Sequence, residues 1–303
     1  MPTNPLSPSF DISWIPASLS DTTVAIWGIG LMGGSLAMAL RGKTASLLGI
    51  DPDKSTCSRA EEMNIFDETA SDPSKIISRA NLVILCAPLG KLPGVLQELP
   101  NVHSGHAVVM DIGSTKNNLL PLMEKLPERF APIGGHPMCG KEVRTLSNAC
   151  VDLYRGASFA LLPLSRTPQA AARLALQLVE AVGAHPIWLD PTLHDRWVAS
   201  ISHLPYLVAI ALSAVTPLEA APLVGPGYKS TTRLAGESIE MMIDILTNNR
   251  ENVLATLKNY RQRMGMLEDA LEAADFTALE KLFQEGDVQR DAIMEVFLKG
   301  GGS

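Results

Sequence analysis

The chain has no excess of positive charge: 25 Lys and Arg stand against 32 Asp and Glu in 303 residues, a formal charge of −7. A phosphate-backbone partner therefore has no general electrostatic support, and no nucleic-acid ligand is expected. Cysteine is scarce. Cys57, Cys86, Cys139 and Cys150 form no CxxC pair and show no zinc-ligand spacing with the six histidines. Reduced thiols in a cytoplasm are the expectation, with Cys86, inside an apolar run, a buried one. The first twenty residues contain neither Lys nor Arg and no long apolar core. They are not a secretory signal and, rich in Pro and Ser, read as a loose arm over 1–20. The most apolar later stretch, LPYLVAIALSAV, is too short to cross a bilayer and is soon followed by Pro217 and Glu219. No membrane partner is expected. The terminal GGGS reads as a flexible tail over 300–303.

What the chain does have is length for two domains and an ordinary globular composition, 46% hydrophobic and 19% charged. Its organising stretch is VAIWGIGLMGGSLAMAL, Val24 to Leu40. An apolar run stops at Gly28, and glycines fall at Gly28, Gly30 and Gly33 before an apolar-periodic segment begins. That pattern reads as strand, tight turn, helix. Gly28 permits the turn, Gly30 lets the backbone approach a pyrophosphate, and Gly33 lets helix and strand pack closely. A phosphate then sits on the helix N-terminus, where unpaired N–H groups and the positive end of the dipole favour an anion. A second apolar run, Ser46 to Ile50, ends in Asp51, eighteen residues after Gly33. A carboxylate there accepts hydrogen bonds from both adenosine ribose hydroxyls and repels a 2′-phosphate, which favours NAD over NADP.

Between Asp21 and Asp190 short apolar runs alternate with helix-like segments, the signature of a parallel sheet covered on both faces. The candidate strands are TTVAIWG, SLLGID, NLVILCAP, HAVVMDIG, FAPIGGHP, SFALLPL and HPIWLD. The spacing predicts a doubly wound α/β domain over 21–190. From 191 to 299 helix-period patterns take over. HDRWVASISHLPYLVAIALSAV and GESIEMMIDILTNN are two candidates. Val253, Leu257, Tyr260, Met264, Leu267 and Leu271 form an apolar seam along a third, which needs a partner helix in this chain or in a second copy. A last helix starts near Asp275 as N-cap, with a break at Gly286. An all-α second half of this kind suggests packing and dimerisation.

In an open α/β sheet the ligand lies outside the carboxyl ends of the strands, so polar residues just past strands are the candidates. In DIGSTK, Ser114 either hydrogen-bonds the substrate or the nicotinamide side, or only caps a helix beginning at Asn117, and composition alone favours the cap. In IGGHPMCG, glycines leave His136 approachable. A neutral imidazole there can take a hydroxyl proton as hydride leaves the same carbon, so activity should fall at low pH with histidine-like behaviour. In the helical half His203 heads an apolar segment, and Arg233 follows two threonines with the fork geometry to hold a carboxylate. His194 and His203, nine residues apart, fall on opposite faces of one helix and cannot share a metal. No metal is expected.

GIGLMGGSLA, the DxGSxK segment, GGHPMCG, HDRWVASISHLPYLVA and TTRLAG occur in the order and rough spacing of the prephenate and arogenate dehydrogenases of tyrosine biosynthesis. The resemblance covers nearly everything from Thr23 to Met294. It implies an N-terminal Rossmann domain and a C-terminal all-α dimerisation domain with the active site between them, a homodimer, NAD as cofactor, and prephenate or arogenate as the small-molecule substrate. His136 matches the catalytic base and Ser114 a residue near that base and the substrate hydroxyl. His203 matches a substrate contact and Arg233 a carboxylate ligand. The expected cofactor-binding set is Gly28, Ile29, Gly30, Leu31, Met32, Gly33 and Asp51, with Ala87 and Pro88 at the end of the NLVILCAP run. Glu142 could pair with the ammonium of arogenate, although acidic residues also occur near this position in enzymes that accept prephenate. Two departures stand out. Many relatives read GFRDTTR where this chain has Lys229 and Ser230, which alters the ion pairing around Arg233, and Cys139 stands where Ala is usual. The rival readings are another Rossmann-fold hydroxyacid or imine oxidoreductase with a helical tail, and a non-catalytic NAD-sensing module.

Overall fold

The computed structural model describes residues 12–141, 143 and 145–299; most of the arm expected over 1–20, the tail 300–303 and Glu142 lie outside the described residues. The chain forms two compact units, the first ending at His194 and the second beginning at Asp195.

The first unit is built on one eight-stranded sheet, in the order β3-β2-β1-β4-β5-β6-β7-β8. The strands are β1 (Thr23–Trp27), β2 (Ser46–Ile50), β3 (Glu68–Ala70), β4 (Leu82–Leu85), β5 (Ala107–Asp111), β6 (Phe130–Pro137), β7 (Ser158–Pro163) and β8 (His185–Trp188). Helices α1 (Leu31–Leu40), α2 (Lys54–Glu62), α3 (Leu92–Val102), α4 (Leu120–Glu124) and α5 (Gln169–Ala181) connect them. The central strands read as continuous apolar runs because both faces are covered. Val24 and Ile26 of β1 share one core with Leu36 and Leu40 of α1 and Leu174 and Leu178 of α5. Ala25 and Trp27, one residue out of phase, share the opposite core with Leu96 and Leu99 of α3 and Met123 of α4. The two-residue period of a strand thus feeds two layers at once. Each Leu or Ile fully withdrawn from water contributes about 1.5–3 kcal/mol.

Three local expectations need correction. The short β3, ETA, carries no apolar run and pairs at the sheet edge with β2, so nothing in its sequence announces a strand. The sheet is not wholly parallel. β7 pairs antiparallel to β6, and β8 runs parallel to β7; the described residues of 138–157 form no crossover helix, only a 3₁₀ turn at Leu146–Asn148. The described part of the N-terminal arm is not loose either: Ile15 and Leu19 are buried, and Leu19 N–H donates to Gln177 Oε1 at 2.8 Å.

Helix α6 (Pro191–Val198) carries the boundary between the units, and α7 (Leu204–Val215), α8 (Pro226–Thr232), α9 (Ile239–Asn248), α10 (Arg250–Glu272) and α11 (Phe276–Lys299) follow it. A π-helical turn, Ala199–His203, joins α6 to α7, so Pro191–Val215 is one helix of 25 residues with an 18-residue window of mean hydropathy 1.8. By length and composition this helix can cross a membrane, and the shorter apolar run read from sequence understates it. Its buried polar groups nevertheless have protein partners. Asn249 Nδ2 lies 2.6 Å from Asp195 O and 3.3 Å from His203 Nδ1, the pattern of a helix packed in a bundle.

Asp275 does cap α11, accepting from Ala278 N–H at 3.0 Å. The helix then runs unbroken through Gly286, whose cost within a helix is only about 1 kcal/mol. Along α10 the apolar seam starts buried at Val253 and ends exposed, with Leu257 36%, Met264 46% and Leu271 61% accessible. On α11, Phe276, Phe283, Val288 and Val296 are exposed as well.

Candidate active site

Strands β1 to β6 are mutually parallel, so their carboxyl ends lie along one edge of the sheet. That edge collects the glycine turn after β1, Asp51 after β2, Ala87 and Pro88 after β4, Ser114 after β5 and His136 near the end of β6. Strand order reverses between β1 and β4, the position at which such sheets open a crevice.

The glycine requirement is steric. Gly28 has φ +109°, and a Cβ there would lie 2.7 Å from Cys86 C and 2.8 Å from Ala87 N, the peptide leaving β4. A Cβ on Gly33 would lie 1.9 Å from Gly28 O. Gly30 is the N-cap of α1, and Leu31, Met32 and Gly33 form its first turn, whose N–H groups have no partner within the helix. Asp51 does two jobs: Oδ2 accepts from Ile29 N–H at 2.9 Å, and Oδ1 accepts from Asp53 N–H at 3.0 Å. It therefore ties the glycine turn to the end of β2 and keeps further lone pairs on both oxygens. A tight turn, a helix N-terminus and a carboxylate at the second strand fit the phosphates and ribose of a dinucleotide.

Ser114 does not cap a helix. Residues after it form a turn, and α4 begins only at Leu120, with Leu119 at the N-cap. The turn is held by a buried ion pair instead. Lys116 Nζ bonds the carboxylate of Asp111 and donates to Gly113 O at 2.8 Å, with both charged side chains fully buried. Burial pushes the Asp111 carboxyl up, and the Lys116 ammonium opposes that shift.

His136, half-buried, occupies the seventh position of β6, opposite Ala160 of β7. Its Nδ1 lies 2.8 Å from Nε2 of His194, and the rings meet edge to face, 5.0 Å between centroids at 67°. His194 is buried. The loop after β6 is fastened to α1: Tyr154 Oη donates to Met32 O at 2.8 Å, and Cys150 N–H donates to Ser35 Oγ at 3.0 Å. Gly34 makes room for it, since a Cβ there would lie 2.4 Å from Leu146 Cδ1. Burial pushes the Cys139 thiol up to about 12 and the half-buried Cys86 thiol up as well, so neither is a nucleophile near neutral pH.

In the second unit His203 is buried at the end of the π-helical turn, its Nδ1 toward Asn249 Nδ2. Arg233 is exposed and opens a 3₁₀ turn, Arg233–Gly236, that packs against α7. Sequence reasoning missed His194 and Asn249. The signal for the first is its place in HDRWVASISH, nine residues before His203, and nothing in that stretch points to His136.

A family model for the prephenate dehydrogenase nucleotide-binding domain matches residues 36–188, and one for the prephenate dehydrogenase dimerization domain matches residues 190–285. The chain is 29% identical over 286 residues to the prephenate dehydrogenase of Bacillus subtilis, covering 89% of this chain and 76% of that one. Among solved structures, prephenate dehydrogenase from A. aeolicus, in complex with hydroxyphenyl propionate and NAD+, superposes with a TM-score of 0.83 at 30% identity over 91% of this chain and 99% of that one. Synechocystis arogenate dehydrogenase gives 0.80 at 29% identity, covering 89% and 99%. A 3-hydroxyisobutyrate dehydrogenase from Salmonella typhimurium shares the fold alone, at 0.52 and 15% identity over 84% and 95%. Two consecutive domain matches spanning most of the chain, on the fold and strand-end residues described above, make this chain a member of the prephenate dehydrogenase family.

Proposed function

We propose that the chain catalyses NAD-dependent oxidative decarboxylation of prephenate to 4-hydroxyphenylpyruvate, of arogenate to tyrosine, or of both. The observation that carries the chemistry is the place of His136, at the carboxyl end of β6 on the sheet edge that also holds the Gly28–Gly33 turn. NAD+ supplies the hydride acceptor. Asp51 takes the ribose hydroxyls and the first turn of α1 takes the pyrophosphate. His136 accepts the proton of the ring hydroxyl as hydride leaves the carbon that bears it, which makes a ketone conjugated with the ring double bonds that reach the quaternary carbon. Loss of carbon dioxide from that carbon aromatises the ring. Ser114, three residues beyond the end of β5, hydrogen-bonds near the same hydroxyl. His203 and Arg233 bind the substrate, the latter through its ring or side-chain carboxylate.

The deciding experiment mixes purified protein with NAD+ and either prephenate or arogenate and follows NADH absorbance. Silence with both substrates sinks the proposal, and the ratio of the two rates assigns the preference. Arg233→Ala should raise substrate KM about 10- to 100-fold with little change in kcat, because a charge-assisted contact made equally in ground and transition states is lost. An unchanged KM removes Arg233 from the site.

The exposed apolar faces of α10 and α11 support a homodimer, since so much apolar surface on one element pair marks an association site. Sedimentation equilibrium should return twice the 32.5 kDa chain mass. The four free cysteines support a reducing cytoplasm as the compartment.

A further inference from the structure

The bond between the two histidines contains one proton. His136 Nδ1 and His194 Nε2 lie 2.8 Å apart, and between neutral rings a contact of that length needs an N–H on one side and a lone pair on the other. We infer that His136 donates from Nδ1 to His194 Nε2, so that His194 is the positioning residue that holds the catalytic histidine in the tautomer with its lone pair on Nε2. The inference rests on His136 being the base and adds the group that orients it.

The reverse arrangement is chemically unproductive. If His194 donates, His136 carries its proton on Nε2 and presents a donor where the substrate hydroxyl needs an acceptor. The support of His194 is rigid. It sits in the first turn of α6, its N–H donates to Asp190 O at 3.1 Å, and Asp190 Oδ1 in turn accepts from Thr192 N–H at 2.8 Å. His194 is 1% exposed and its ring meets His136 at 67°, so water does not compete for Nε2. On the opposite side, β6 is held in register by β5 and β7. When the hydroxyl proton reaches Nε2 the His136 ring becomes an imidazolium. Its Nδ1–H bond to His194 is then charge-assisted and stronger. The contact is thus worth more in the transition state than before it, which is the condition for an effect on kcat. The proton on Nδ1 does not transfer. Other ionisable groups on the elements around the pair are Asp111 with Lys116 at the end of β5, Asp190 ahead of α6, and the buried Asp195 and exposed Arg196 on α6 itself; β7 offers only Ala160 opposite His136.

The test compares wild type with His194→Phe, which keeps a ring and removes the acceptor, His194→Gln, which keeps an acceptor, and His136→Asn. His194→Phe should lower kcat about 10- to 100-fold while substrate KM and NAD+ affinity stay within about twofold. The acid limb of its kcat/KM profile should move to lower pH, because the imidazolium has lost its acceptor. His194→Gln should recover most of kcat and the original limb. Nitrogen-15 NMR of the wild type above the limb should show His136 protonated on Nδ1 and not on Nε2. Wild-type kcat and limb in a His194→Phe enzyme that binds NAD+ normally would overturn the inference, as would a loss that glutamine does not repair, or a proton on Nε2. If the phenylalanine variant does not fold, the glutamine variant and the NMR tautomer decide. A fully active His136→Asn enzyme would instead overturn the reading of His136 as base, and this inference with it.

Discussion

Replacing His136 with Asn should lower kcat by about 10²–10⁴-fold, the range for losing a positioned general base, with substrate KM nearly unchanged. Each decade is about 1.36 kcal/mol of barrier, so the variant forfeits about 3–5 kcal/mol of transition-state stabilisation. The separation between kcat and KM is the informative part. His136 sits on a strand paired on both sides, and Asn presents a nitrogen or oxygen near the position of Nδ1, so the contact toward His194 and the shape of the site are largely kept. What disappears is the nitrogen that takes the hydroxyl proton. Steady-state kinetics with saturating NAD+ checks this, and NAD+ affinity by fluorescence titration should match wild type. A large rise in KM with kcat preserved would make His136 a binding residue and leave the base unassigned.

The parts of this site that were legible in the sequence are those whose physical requirement is local. Gly28 and Gly33 answer to contacts within one strand-turn-helix unit, so their spacing was enough to find the turn. The central strands announce themselves because two covered faces make an apolar run of β1, β4 and β5. Legibility fails where the requirement comes from elsewhere in the chain. The direction of β7 depends on how 138–157 returns, and no residue within SFALLPL encodes it. His194 is 58 residues from His136, and an isolated histidine at a helix start carries no sign of which ring it will meet. Asp51 starts a turn through one oxygen and braces the glycine loop through the other, the second a contact with a residue 22 positions earlier. Ser114 went the other way: a residue that looks like a cap stands before a turn whose shape an ion pair fixes.

That ion pair carries the largest expected stability effect in the first unit. Lys116→Met keeps the length and apolar stem of the side chain but strips the cation bonded to the fully buried Asp111, among whose oxygens Oδ1 already has no hydrogen-bond partner among the described residues. Breaking a buried pair from one side costs about 3–5 kcal/mol, because the remaining charge stays out of water uncompensated. The pH dependence follows from the direction of the Asp111 shift. Burial already holds its folded-state carboxyl above the ordinary value, and without Lys116 it rises further. A group whose folded value lies above its unfolded one stabilises the fold at low pH and loses that stabilisation as pH rises through the folded value. The deficit of Lys116→Met in urea denaturation should accordingly be greatest near neutral pH and shrink as pH falls through about 4, where the unfolded-state carboxyl also begins to take its proton. Asp111→Asn added to Lys116→Met removes the orphaned charge and should restore more than half of the loss, a coupling that independent sites do not show. The same variants report on catalysis, since Lys116 also holds Gly113 O and with it the turn that presents Ser114. If the double variant is as stable as wild type yet slow in kcat, the pair is retained to shape that turn. Equal stability of Lys116→Met and wild type at neutral pH would show that Asp111 is not charged in the folded enzyme.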